Sequence, residues 1–178
     1  DWHWEGKARV DDLDIRAWGG GGVLGRITGN LDLRGDRDGF AARGPMVAPG
    51  LDAGPIDTVF EGNFADRVIT ARRIDLVHRA SRSTVNASGT IGIVTGGPEL
   101  GLRGTWRGFQ WPLRGNAPAV TSPGGEFSLG GRWPFDLQAS GRIKPADLPE
   151  FPAQMRGSLA KDRVVVREGS AALWGGKA

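Results

Sequence analysis

The chain carries 178 residues, with 30 glycines, 11 prolines, no cysteine, no tyrosine and a formal net charge of +3. This length accommodates one domain with its own core; the glycine and proline content leaves little room for helix, and the absence of cysteine excludes disulfides and thiol chemistry. Basic and acidic residues interleave, as in Asp32, Arg34, Asp36, Arg37 and Asp38, a mixed solvated surface that argues against a phosphate-binding stripe and against nucleic acid as partner.

In chain order, the predicted elements are strands. Lys7 to Trp18 reads as strand with Leu13, Ile15 and Ala17 on one side, but Val10 falls on the other parity, so a bulge or two short strands is expected. Gly19 to Gly22 forms a break. Ile27, Gly29, Leu31 and Leu33 then alternate with Thr28, Asn30 and Asp32, the period-two signature of a strand with one apolar and one solvated face. Gly35 to Gly39 is a polar turn into a second strand, Phe40 to Val47, making a hairpin. After a loop from Pro49 to Pro55, Ile56 to Phe64 leads through Ala65 and Asp66 to Val68–Leu76 as a second hairpin.

Val85 to Ile93 repeats the alternation, with Gly89, Ile91 and Ile93 on the apolar parity, and Gly96-Gly97-Pro98 turns it into Leu100–Trp106. Trp106 to Gly115 reads as an edge strand ended by Pro112. Asn116 to Gly125 is the longest expected loop. Phe127–Leu129 and Phe135–Ile143 form a hairpin around Trp133-Pro134, Pro145 to Pro152 is extended, and Met155–Leu159 with Val164–Arg167 makes the last pair. The ends echo each other: Gly6-Lys7-Ala8 leading to Ala17-Trp18-Gly19-Gly20 parallels Gly157-Ser158-Leu159 leading to Leu173-Trp174-Gly175-Gly176. No run reaches the ~18 apolar residues of a membrane span and no signal peptide is visible. The chain opens at Asp1, and the expectation is a single β-rich domain, 1–178, cut from a longer repetitive protein.

Glycine weakens a strand unless the sheet bends or another group approaches closely. Gly29, Gly62, Gly89, Gly104, Gly131, Gly141 and Gly157 share the apolar parity. The expected fold is therefore all-β, a long antiparallel sheet folded over on itself around an apolar, glycine-lined concave face. Alternation alone leaves two interiors open: a groove lined by side chains, or a core filled by them.

The individual motifs carry little chemistry. Asp36-Arg37-Asp38-Gly39 resembles the start of a calcium loop, but the later acidic ligands are missing. Arg34-Gly35-Asp36 spells an adhesion tripeptide that chance explains. His3 and His78 lack companions at metal-ligand spacing, and Ser81, Ser83 and Ser88 lack a nucleophile elbow. No catalysis, metal or cofactor is expected. The tryptophans Trp2, Trp4, Trp18, Trp106, Trp111, Trp133 and Trp174 could make a sugar-stacking platform, but Trp106 and Trp133 take the apolar parity.

The approach to Trp111-Pro112-Leu113, then Ser122-Pro123-Gly124-Gly125-Glu126-Phe127-Ser128-Leu129 with Gly131, and Phe135-Asp136-Leu137 running through Gly141 to Leu148-Pro149 and Gly157, resembles the TamB proteins of Gram-negative bacteria. These belong to the wider AsmA-like group. The resemblance covers about a third of the chain. It implies an interior segment of a translocation and assembly module protein of β-taco shape, periplasmic and part of an inner-membrane-anchored parent. The parent would meet its outer-membrane partner, TamA, outside this segment.

The resemblance further implies a hydrophobic groove for phospholipid transport between the two membranes, for assembly of outer-membrane proteins, or for both. The residues expected to contact phospholipid acyl chains or an unfolded outer-membrane protein are Leu31, Leu33, Phe60, Phe64, Ile91, Ile93, Leu102, Trp106, Phe127, Leu129, Phe135 and Leu137. Two alternatives stand beside this reading: a structural spacer with a filled β core, and a carbohydrate-binding β domain.

Overall fold

The computed structural model describes residues 2–14, 26–49, 53–95, 97–160, 164–173 and 176–177. Among them there is no α-helix. Twelve strands follow one another in chain order: β1 (His3–Asp14), β2 (Arg26–Asp36), β3 (Phe40–Val47), β4 (Ile56–Ala65), β5 (Val68–His78), β6 (Ser83–Val94), β7 (Gly97–Trp111), β8 (Val120–Arg132), β9 (Phe135–Pro145), β10 (Phe151–Leu159), β11 (Val164–Leu173) and the two-residue β12 (Gly176–Lys177). Each pairs antiparallel with its sequence neighbours, so the chain is one meander. The sheet does not close into a barrel, because β1 and β12 are its two ends rather than partners.

Register shows why the alternation matters. One cross-strand row reads Trp4, Gly35, Phe40, Gly62, Ala71, Gly89, Leu102, Leu129, Leu137, Gly157 and Val166. The next reads Gly6, Leu33, Ala42, Phe60, Ile74, Ala87, Gly104, Phe127, Ala139, Met155 and Gly169. Directly paired residues in an antiparallel sheet share a face, so one face is apolar from end to end. The other carries Lys7, Asp32, Arg43, Val59, Asp75, Asn86, Thr105, Glu126, Ser140 and Gln154 in a corresponding row, polar but for Val59.

The glycines of the apolar face do not line up as one furrow. Phe40, Leu102, Leu129 and Leu137 stand between them in the first row. Several are instead seats for aromatic rings. The Trp4 ring approaches to 2.6 Å of where a Cβ at Gly35 would stand, and the Phe127 ring to 2.7 Å of the same point at Gly104. Large side chains thus lie over small neighbours, which packs a single face without a second sheet.

Curling comes from one-residue slips in register. They occur between Val10 and Leu13 in β1, at Arg72 in β5, between Thr121 and Gly125 in β8, and between Arg156 and Gly157 against β11. Each bulge adds twist and bends its strand. The first is the one that the parity of Val10 predicts, with Asp12 in a left-handed conformation, φ 54°. The part of that predicted strand from Ile15 to Trp18, and the Gly19–Gly22 break, lie outside the described residues.

The structure corrects four expectations. The Trp106–Gly115 strand is not at an edge: β7 lies between β6 and β8 and ends at Trp111, before the cis Trp111–Pro112 bond. The loop expected from Asn116 to Gly125 is shorter, because Val120 already pairs with Trp111 and Pro145 in β8. Pro123 sits inside the β8 bulge, where a residue without an N–H is tolerated. Pro98 belongs to β7, paired with Ile93, rather than to a turn. Finally, the Pro145–Pro152 stretch is not one extended run: Pro145 ends β9, Phe151 and Pro152 open β10, and residues 146–150 turn between them.

Candidate functional site

All twelve residues expected on the groove lie on the apolar face. Leu33 and Phe60 pair through Ala42, Phe64 reaches Ile91 through Ile69, and Leu102, Leu129 and Leu137 are consecutive in one row. Leu31 pairs with Ala8, Ile93 with Pro98, and Phe135 with Leu159. Their exposure differs. Phe64 and Ile93 are 58% and 52% exposed, Phe135 is 6% exposed, and the other nine are half-buried. Among the described residues no large side chain is fully buried, so the face is covered by its own neighbours and water, not by a second layer.

The apolar face is hollowed over β6–β10, with a volume of about 430 Å³, within the range of roughly 300–1,000 Å³ typical of ligand pockets. Of the expected residues only Trp106 and Phe127 line it; Val85, Phe109, Val120, Ile143 and Met155 complete it. Val85 and Ile143 carry the apolar parity of their strands without being among the twelve, whereas Phe109 lies beside the bulge, Val120 in a segment read as loop and Met155 at a strand end. No charged side chain lines the hollow. Ser140 and Gln154 border it, but register places their side chains on the opposite face with Glu126.

Trp106 is the centre of this arrangement. Its ring occupies the space a Cβ at Gly125 would need and reaches across β8 to within 2.8 Å of that at Gly141. On the same edge of the indole, Nε1 donates to Ser122 Oγ at 2.8 Å, and Ser122 Oγ donates to the Arg142 carbonyl at 2.6 Å. Ser122 is 4% exposed. The β8 bulge brings it inward, so a hydroxyl on an apolar face is satisfied at both ends. Phe127 tilts against the indole at 6.5 Å between centroids, and Phe40 stacks on Phe60 at 5.5 Å in the amino-terminal half.

The polar face is held by ion pairs. Arg43 of β3 donates to Glu61 of β4 at 2.7 Å, Arg73 of β5 contacts Glu61 at 3.9 Å and Asp75 at 2.5 Å, and Asn86 of β6 donates to Asp75 at 2.6 Å. The Arg43 hydrogen bond, with the charges of Arg73, Arg43 and Arg34, holds the Glu61 carboxyl below its ordinary 4.5 against the opposing effect of desolvation. A second, larger hollow of about 860 Å³ lies on this face behind the first. Arg103, Arg156, Glu126 and Glu168 line it, groups that water serves well, so nothing there excludes solvent.

Other motifs resolve into structural parts. Asp36 Oδ1 accepts from the amides of Asp38 and Gly39 at 2.8 and 3.0 Å, which uses it in the turn and not as a ligand. Arg34-Gly35-Asp36 lies within β2. His78, 5% exposed, contacts the Ala53 carbonyl through Nε2 at 2.6 Å and Ser81 Oγ through Nδ1 at 2.6 Å. Ser81 in turn meets Ser83, which donates to the Gly108 carbonyl at 2.8 Å. That chain straps the 53–55 segment to β5, β6 and β7. Searches against family models, curated proteins and solved structures give no match. Among the described residues no helix is long and apolar enough to cross a membrane.

Proposed function

We propose that this chain is a periplasmic, TamB-like segment of an inner-membrane-anchored protein, and that its apolar face carries phospholipid acyl chains between membranes. One observation supports this most: a continuous apolar face of eleven strands, half-open, hollowed over β6–β10 and free of charged lining. Each apolar side chain covered by a lipid tail contributes roughly 1.5–3 kcal/mol when fully buried. Many weak, similar contacts allow a tail to slide, and the reading assigns no chemical step to any residue.

A filled spacer fits less well, because the face lacks fully buried large side chains. A sugar platform also fits less well: Trp4, Trp106 and Trp111 share the apolar face, and the Trp106 N–H is already bonded to Ser122. An unfolded outer-membrane protein would bring backbone N–H and C=O groups that find no free partner in the hollow, each costing about 1–3 kcal/mol. A hydrocarbon tail has no such demand. Native mass spectrometry with lipid extraction of the purified protein tests the proposal. Bound phospholipid is expected; a lipid-free protein that takes up none from vesicles contradicts it, and binding on a glycan array would favour the carbohydrate reading.

A further inference from the structure

Four strands on one side of Trp106 place only small residues in its row: Gly125, Gly141, Ala153 and Ala171. Trp106 lies over the first two. A hydrogen bond from Nε1 to Ser122 fixes the edge of the indole whose Cζ2 the two glycines make room for. The ring therefore covers the β8–β9 end of a row of small residues that continues through Ala153 of β10 and Ala171 of β11. With Trp106 in place the hollow is bounded by the indole, Phe127, Ile143 and Met155. Without it, the floor drops to glycine and alanine.

We propose that Trp106 is a specificity-determining residue of the groove, held by Ser122, which admits a slender hydrocarbon chain and excludes fused rings. The inference rests on the acyl-chain reading of the face. A linear tail lies along the free side of the indole and needs no displacement of it. A flat polycyclic hydrocarbon needs the space the indole already occupies. Ser122 contributes by keeping the indole N–H bonded: released from it, the ring moves and that row is uncovered. Removing the ring uncovers an apolar strip of glycine and alanine on which a flat aromatic ligand buries its own apolar surface, so the exclusion becomes a binding site.

The test compares binding of palmitate and of pyrene to the intact protein and to the Trp106→Ala, Trp106→Phe and Ser122→Ala variants, with circular dichroism confirming that each retains its strands. The intact protein is expected to prefer palmitate. In Trp106→Ala the pyrene-to-palmitate affinity ratio rises about tenfold or more, in Ser122→Ala it rises about two- to tenfold, and Trp106→Phe falls between the intact protein and Trp106→Ala. Indole added to Trp106→Ala should compete with pyrene and restore the original preference. An unchanged ratio in folded Trp106→Ala and Ser122→Ala overturns the selector role while leaving the groove intact. Failure of the intact protein to bind palmitate overturns the groove reading itself. If Trp106→Ala loses its strands, the Trp106→Phe and Ser122→Ala ratios decide the matter, and no rise in either overturns the inference.

Discussion

Trp106 and Gly141 lie two strands apart yet touch: the indole Cζ2 stands 2.8 Å from where a Cβ at Gly141 would be. Gly125, between them, is even more closely covered, and a Cβ there would also meet the Ser140 carbonyl at 2.5 Å. Gly125→Ala should therefore lower stability by about 1–3 kcal/mol, the usual cost of overpacking. Gly6→Ala meets nothing within 4 Å and should raise stability by about 0.4–1 kcal/mol through the unfolded chain. Urea midpoints of the two variants check the contrast, which a uniform role for the glycines as hinges would not produce.

His78 is the most buried titratable side chain described, and it bridges two segments that are distant in sequence. His78→Ala removes both bonds and leaves a space, so a loss of about 2–4 kcal/mol is expected. Ser83→Ala, which removes the bond to the Gly108 carbonyl, should cost about 0.5–1.5 kcal/mol. Because the two act in one chain, the double variant should cost less than the sum, measured by a double-mutant cycle.

Glu61 ties stability to pH. Its carboxyl is held below the ordinary 4.5, first by the hydrogen bond from Arg43. A lowered folded-state value means stability that is fully present above 4.5 and lost as pH falls through the folded value. Glu61→Gln should therefore be less stable than the intact protein at neutral pH and should show a smaller decline on acidification below about 4.5. Denaturation midpoints across pH, at low salt so that the exposed pair is not screened, measure this.

Leu129 and Leu137 face each other in adjacent strands on the half-open face. Leu137→Asp should leave the strands formed, because the side chain is not deeply buried. It should reduce phospholipid recovered with the protein about tenfold or more, since a carboxylate at the contact opposes a hydrocarbon tail. Quantitative lipid extraction alongside circular dichroism separates loss of binding from loss of fold.

Much of the sheet was legible because alternation is a local property. Ile27 to Leu33 and Val85 to Ile93 show their faces without any partner. The parity slip at Val10 even gave the β1 bulge. What stayed hidden depends on pairing. The bulge at Arg72 changes which residues of β5 face inward, from Ile69 and Ala71 to Ile74 and Leu76, and no single strand reveals that. Likewise Ser122, Pro123 and Gly124 look like loop until Phe109 and Ser122 are seen in register. Of the lining of the hollow, Trp106 and Phe127 were named as site residues and Val85, Ala139, Gly141 and Ile143 show the apolar parity, but the inward turn of Ser122 depends on that same bulge. The glycines were correctly placed on the apolar face, but their use as ring seats depends on side chains in adjacent strands.

The central claim, that hydrocarbon tails occupy the apolar face, is tested most directly by photocrosslinking from two positions on opposite faces of the same hairpin. A benzophenone side chain introduced at Phe127 lies on the apolar face in the hollow, and one at Gln138, exposed beside Ser128 and Arg156, lies on the polar face. The protein carrying either label is irradiated with radiolabelled phospholipid vesicles. A lipid adduct at position 127 and none at 138 is the predicted result. No adduct at 127, or equal adducts at both, would contradict the account.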